Sequence, residues 1–509
     1  MKTLPNRGAP DRARRLFDSL RDGETVAADA LRGALARSGL RQDDPRLAGT
    51  MRLLEGRDAM DYAAFLDVIR PGLLVIDRAL RGAFVIPDFA SFREEIDALY
   101  EAVKPRTEGR VADYIPQLAR VDPELFGVAL HTVDGQAHGV GDAAVPFSVQ
   151  STCKPINYCL ALEEHGEERV HAHVGCEPSG QMFNELTLNA NARPHKPMIN
   201  AGDIKSGSLI RPGLSAADRF DHVIGMWTRL CGGTRPGFSN PTYLSERRTA
   251  DRNFALGYFM RENGAFPEGT DLLDTLEFYF QCCSLETTAE AFSLAAATLA
   301  NGGICPLTGD RVLKPETVQK CLSLMDSCGM YNYSGQWAFS IGLPAKSGVS
   351  GAIIVIVPNV MGLCVFSPRL DENGNSVRGI AFSRELVGRF NFHNYDTLVG
   401  APNGKVDPRH AATQGPDVTD FYWAAAGGDL EGIRRLLARG VRIDEADYDG
   451  RTALHLAASE GHAHVVSFLL ESGAEPAPKD RWGNTPLDDA VRENHPDVAT
   501  RLKAMRASA

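Results

Sequence analysis

The sequence predicts a multidomain chain in three parts: an all-α module, a larger α+β domain and a short α-helical solenoid. Three observations carry that expectation. Apolar residues recur at spacings of three and four through the first 86 residues, hairpin signals flank a helical middle, and a 33-residue repeat closes the chain. At 509 residues the chain is long enough for roughly three or four domains.

The first part, residues 1–86, reads as short amphipathic helices over Ala13 to Leu20, Ala27 to Ser38 and Met60 to Ile69. Leu16, Phe17 and Leu20 before Asp22-Gly23, with Leu31 after, resemble an EF-hand pair. A calcium loop needs oxygen ligands at alternating positions and a late bidentate Glu, which neither candidate loop supplies, so calcium binding is not expected.

The second part, residues 87–399, mixes strand and helix signals. Phe126 to Val133 is a strand candidate ending in an Asp134-Gly135 turn, and Ala352 to Val357 and Val360 to Ser367 flank Pro358-Asn359. Between them lie helical patterns such as Thr287 to Asn301, stopped by Gly302-Gly303. Hairpins at both ends of a helical middle predict an α+β domain whose terminal segments share one sheet.

Residues 400–417 (GAPNGKVDPRHAATQGPD) show no periodicity and read as a linker. Beyond it, over 418–509, Ala424, Ala457 and Ala490 stand 33 apart, as do Gly450 and Gly483, and Thr452 and Thr485. GRTALHLAA and GNTPLDDAV at this period are the ankyrin pattern, about three helix pairs whose apolar faces are buried only by stacking. The array reads as a surface for a protein partner, with an inert stabilising appendage as the alternative.

Composition excludes several classes. With 54 basic and 65 acidic side chains the formal charge is −11, which offers no positive field to nucleic acid. No apolar run approaches the roughly 18 residues of a membrane span, and no signal-peptide core is present, so the expected chain is soluble, intracellular and cytoplasmic. The ten cysteines contain no CxxC pair, and the 13 histidines show no metal-ligand spacing. Reduced thiols, no metal and no organic cofactor are expected.

Ser151-Thr152-Cys153-Lys154 is an SxxK tetrad at the start of a helical pattern. Residues three apart on a helix face the same way, so the Lys154 amine can approach the Ser151 hydroxyl. A serine needs a base, and a lysine serves if burial and positive neighbours depress its pKa. A chain this long contains about one SxxK tetrad by accident. Lys346-Ser347-Gly348 before the strand at Ala352 makes accident harder to sustain, because serine acyl-transfer enzymes of the β-lactamase and transpeptidase type pair SxxK with K-[TS]-G on an edge strand. Their middle S-D-N element is missing, and Tyr331 in CGMYNYSG is the candidate proton relay.

VPFSVQSTCKP, EPSGQMFNEL, HKPMINAGDI, LSERRTADRNFALGYFM, FPEGTDLL, TLANGGICPLTG, SCGMYNYSGQWAFSIGLPAKSGVSG and NFHNYDTL together resemble the serine-dependent glutaminases, which share the β-lactamase-like fold. The likeness spans about Asp113 to Leu398, and the flanks match the animal kidney-type and liver-type architecture. It implies hydrolysis of L-glutamine through a glutamyl-serine ester, with Ser151 as nucleophile, Lys154 as general base and Tyr331 as relay. It also implies glutamine binding by Tyr114, Asn200, Glu246, Asn253 and Tyr279, with Val349 lending a backbone N–H to the oxyanion beside that of Ser151. A free amino acid must be held by both charged ends, so one anion among neutral donors suits it.

Two departures stand out. TRLCGGTRPGFSNPTY has no assignable role, and NELTLNANARPH carries Thr187 and small residues where animal members are more apolar. That loop is associated in the family with subunit contacts, which leaves homodimer and homotetramer both open, along with any response to phosphate. Two other readings remain: a β-lactamase or peptidase of the same fold, and a catalytically inactive ankyrin scaffold.

Overall fold

The computed structural model describes residues 9–179, 185–396, 404–409, 414–438 and 441–506. Part of the EPSGQMFNEL block and parts of the linker lie outside the described residues. Internal contacts divide the chain into two units, one reaching Gly388 and including Phe392–Tyr395, the other comprising Arg389–Asn391 and everything from Asp396 onward.

The first unit begins with helices Ala9–Leu20, Ala28–Arg37, Ala48–Leu54, Tyr62–Ile69 and Leu73–Leu80. Two strands, β1 (Val26–Ala27) and β2 (Ala59–Met60), pair antiparallel between them. The helices expected from Ala27 and from Met60 therefore start later, because those residues are extended. Asp61 supplies a stop-start signal by accepting from the Ala64 N–H at 2.8 Å. Leu16, Phe17, Leu31, Phe65, Ile69 and Ile76 form the buried centre of this module.

The remaining strands are β3 (Gly127–Thr132), β4 (Ala137–Gly141), β5 (Phe147–Ser148), β6 (Gly237–Phe238) and β7 (Leu285–Thr287). The last three are β8 (Ala345–Ser347), β9 (Ala352–Val357) and β10 (Met361–Phe366). One five-stranded antiparallel sheet runs β4-β3-β10-β9-β8 and a small one runs β5-β7-β6. The expected hairpins are β3–β4 and β9–β10, and β10 pairs β3 with Leu363 opposite Leu130, so the two ends of the domain do share a sheet. Every residue of β9 and β10 is buried, which fits an apolar run covered on both faces. Helix Ala289–Ala300 packs on this sheet; Thr287, expected as its first residue, instead ends β7 (Leu285–Thr287).

The helical module and the sheet are joined by main-chain contacts. Ala137 donates to Gly39 O at 2.8 Å, Gln136 Nε2 donates to Ser38 O and Ile86 O at 3.0 and 2.9 Å, and Arg46 Nη1 donates to Asp134 O at 2.6 Å. These bonds make the module a fixed part of the first unit.

The second unit contains helices Gln414–Gly427, Leu430–Ala438, Ala453–Ser459, Ala463–Glu471, Pro486–Arg492 and Pro496–Arg506. The first begins inside the stretch read as linker. Ala457 and Ala490 are fully buried, with Ile433, Val465, Leu469 and Leu502 around them. The repeated threonines, Thr452 and Thr485, each form a capping box at a helix start.

Candidate active site

Ser151 sits on a tight turn, Gln150–Cys153, that runs directly into helix Lys154–His171 with Pro155 in its first turn. The missing N–H of Pro155 costs nothing there, since first-turn donors have no helical partner. β8, carrying Lys346 and Ser347, is the edge strand, as the motif predicts. Beyond it Gly348 comes so close that an added Cβ would lie 3.0 Å from Val149 O and from the Thr152 side chain. The absence of a side chain at Gly348 lets this turn close on the Ser151 turn without displacing either neighbour, which sets Val349 beside the nucleophile.

The two turns floor a cavity of about 330 Å³. Seven of the sequence-derived residues line it: Tyr114, Ser151, Asn200, Glu246, Asn253, Tyr279 and Val349. Asn200 and Asn253 are locked together, Nδ2 of the first donating to Oδ1 of the second at 3.0 Å. Glu246, from helix Asn240–Arg248, is 6% exposed and accepts from Gln150 Nε2 at 3.2 Å. Burial raises its pKa to about 7, against the lowering pull of Gln150 and Lys154. Tyr114 stands at the mouth with 53% of its surface exposed, while burial of its hydroxyl end pushes its pKa well up.

The other two sequence-derived residues, Lys154 and Tyr331, lie behind this lining. Burial raises the Tyr331 phenol to about 12, and a hydrogen bond with Ser151 pulls the other way. Lys154 is fully buried; its Nζ donates to Tyr279 OH at 3.3 Å and lies 3.6 Å from Asp203 Oδ2. The depressed pKa expected for Lys154 is not what its surroundings produce. Desolvation lowers it, but Asp203 leads the opposing influences and the net direction is upward. Of the two motif lysines, the one held well below its ordinary range is Lys346, which is fully buried, repelled by Lys154, and 4.4 Å from the Tyr331 ring. Its Nζ donates to Ser347 O at 2.6 Å.

Gln150, Cys283 and Asp203 escaped the sequence reading. Gln150 takes a left-handed φ of 48°, unusual outside glycine, and turns its amide onto Glu246, Ser148 and Cys283 O. Nothing in the sequence marks that conformation. Asp203 did leave a signal: NAGDIKSG places two charges in a helix otherwise built of small and apolar residues, and every residue of Asn200–Leu209 is buried.

The Glutaminase family profile matches residues 109–395, an ankyrin-repeat profile with three copies matches 421–508, and an EF-hand domain profile matches 13–87. The chain is similar to a rat protein named glutaminase liver isoform, mitochondrial, at 46% identity over 96% of this chain and 83% of that one. It is 45% identical to a putative glutaminase 2 of Caenorhabditis elegans, covering 98% of this chain and 86% of that one. Among solved structures, a probable glutaminase, ybaS, aligns with a TM-score of 0.56 at 34% identity, over 60% of this chain and 98% of that one. A probable glutaminase from Bacillus subtilis complexed with 6-diazo-5-oxo-L-norleucine aligns with a TM-score of 0.55 at 31% identity, over 59% and 96%.

Proposed function

This chain belongs to the glutaminase family and hydrolyses L-glutamine to L-glutamate and ammonia; on that premise we propose how its residues divide the work. Glu246 holds the α-ammonium of glutamine, and Tyr114, Asn200, Asn253 and Tyr279 donate to its remaining polar atoms. The Asn200–Asn253 bond fixes both amides before substrate arrives, which limits the ordering that binding must impose.

Ser151 attacks the side-chain amide carbon. Its proton passes to the Lys154 amine in the state where Asp203 carries the proton that the pair shares; a dry carboxylate whose own pKa is raised by burial is a fitting acceptor. The oxyanion leans on the backbone N–H groups of Ser151 and Val349. The C–N bond breaks as Tyr331 relays a proton to nitrogen, ammonia leaves and a glutamyl-serine ester remains. Water attacks that ester, gives its proton back through the same groups, and releases glutamate with Ser151 restored.

The observation that carries this reading is the convergence of an acylable serine, a single buried carboxylate and paired amides on one cavity. Ammonia release from L-glutamine, with and without phosphate, tests it. Ser151→Ala should lose at least about 10³-fold in kcat while still binding glutamine. Hydrolysis of a chromogenic β-lactam would favour the peptidase-type alternative, and glutamine binding with no turnover under any anion condition would favour the inactive scaffold.

We further propose a homodimer or homotetramer, a protein partner at the ankyrin repeats and a cytoplasmic location. Among the described residues no helix is long and apolar enough to cross a membrane. The rat relative has a mitochondrial name, so fractionation of cells expressing the full chain decides between the two compartments.

A further inference from the structure

Next to the nucleophile, three residues far apart in sequence bring metal-ligating atoms together. Cys153 closes the Ser151 turn, Asp203 comes from helix Asn200–Leu209, and Cys283 ends helix Leu272–Cys283. Their sulfur and carboxylate atoms all lie within 4.8 Å of one another. Among the described residues no other three His, Cys, Asp or Glu side chains do so. We propose that Cys153, Cys283 and Asp203 form a binding site for a borderline-soft divalent cation of the zinc class, and that its occupation switches the enzyme off.

The donor set suits that ion. Two thiolates and a carboxylate make a three-ligand site, and zinc bonds of 2.0–2.3 Å require ligand atoms roughly 3.3–3.8 Å apart in a tetrahedron, a contraction of about 1.5 Å at most. The fourth position is left for water. An oxygen-seeking cation such as magnesium or calcium finds only one carboxylate here. The entry path is the substrate cavity, because Cys283 lines it. Outer contacts are already built: Asn157 Nδ2 donates to Asp203 Oδ1 at 3.1 Å and lies 3.6 Å from Cys153 Sγ.

The charges also close. The three residues are 0–1% exposed, so an unbalanced ion would be costly there. Both thiols are pushed up from their ordinary range: Cys283 by its hydrogen bond with Cys153 and by burial, and Cys153 by burial, against the lowering pull of that same bond. A divalent ion entering would release two protons, giving two thiolates and one carboxylate around two positive charges. The net single negative charge is met by the Lys154 ammonium, 3.6 Å from Asp203. Binding of the ion therefore needs no further counterion. It also ties up the carboxylate on which Lys154 depends to become a base, which is why occupation stops turnover; this second half rests on the proposed mechanism, whereas binding does not.

The test uses the full chain, reduced with a phosphine, and cadmium as a spectroscopic probe. Titration with Cd²⁺ should give one equivalent of thiolate-to-cadmium charge-transfer absorption with release of two protons, displaced by Zn²⁺. Cys153→Ser and Asp203→Asn should each weaken binding by more than the roughly 10–100-fold lost when only an outer partner is removed. Cys159→Ala, which removes a buried thiol elsewhere, should leave it intact. Zn²⁺ should inhibit ammonia release reversibly, and Cys153→Ser should escape inhibition. An absorption band unchanged in both ligand variants, with thermal melts showing both folded, would overturn the site. If wild type releases no ammonia, the functional reading fails while the cadmium titration still decides binding.

Discussion

Lys154 Nζ and Asp203 Oδ2 face each other at 3.6 Å with both side chains wholly removed from solvent. Removing one member of such a pair leaves an uncompensated buried charge, so Asp203→Asn should destabilise the chain by about 3–5 kcal/mol in chemical denaturation. The Asn can neither anchor the ammonium nor accept its proton, and kcat should fall about 10²-fold with KM little changed, because Asp203 does not line the glutamine cavity.

Glu246 gives the site a pH dependence. Its carboxyl must be ionised to hold an ammonium, and burial raises its pKa from 4.5 to about 7. KM for glutamine should therefore rise about tenfold per pH unit below 7, and Glu246→Gln should raise KM at pH 8 and flatten this dependence. In the unliganded chain the same raised value stabilises the fold fully below pH 4.5, and that contribution fades as pH rises through 7. Without glutamine the melting temperature should thus fall as pH rises from 5 to 7, and saturating glutamine should largely cancel that fall.

Gly202 sits where helix Asn200–Leu209 presses on the Lys196 backbone; an added Cβ would fall 1.8 Å from Lys196 O. Backbone cannot swing aside as a side chain can. Gly202→Ala should cost more than about 2 kcal/mol in denaturant unfolding and raise KM, because the helix that must move carries Asn200.

In the ankyrin repeats, Thr485 caps helix Pro486–Arg492, and Asp488 returns a bond to the Thr485 N–H at 2.8 Å. Thr485→Ala should remove about 1 kcal/mol, visible as weaker hydrogen-exchange protection through that repeat.

Much of the architecture was legible because it rests on local periodicity. The 33-residue spacing of Ala424, Ala457 and Ala490 marks where helices stack, and alternation of strand and turn residues gave both hairpins of the main sheet. The short pairing of Val26 with Met60 was missed because two-residue strands leave no period to read; their partners are set by where the helices dock.

The candidate site divides along the same line. Ser151, Lys154 and Lys346 announce themselves through fixed spacing and motif, since a nucleophile and its base one helical turn apart must be near each other wherever the helix lies. Which lysine carries the proton is a matter of tertiary structure: burial is common to both, but Asp203, arriving from another helix, leads the influences that raise Lys154, while repulsion by Lys154 adds to the depression of Lys346. The same folding step gathers Cys153, Asp203 and Cys283 around one point. Sequence determined which chemical groups exist and which local geometry each prefers; the packed interior decided their ionisation, because electrostatic energy in a dry core depends on distances between segments that the order of residues does not state.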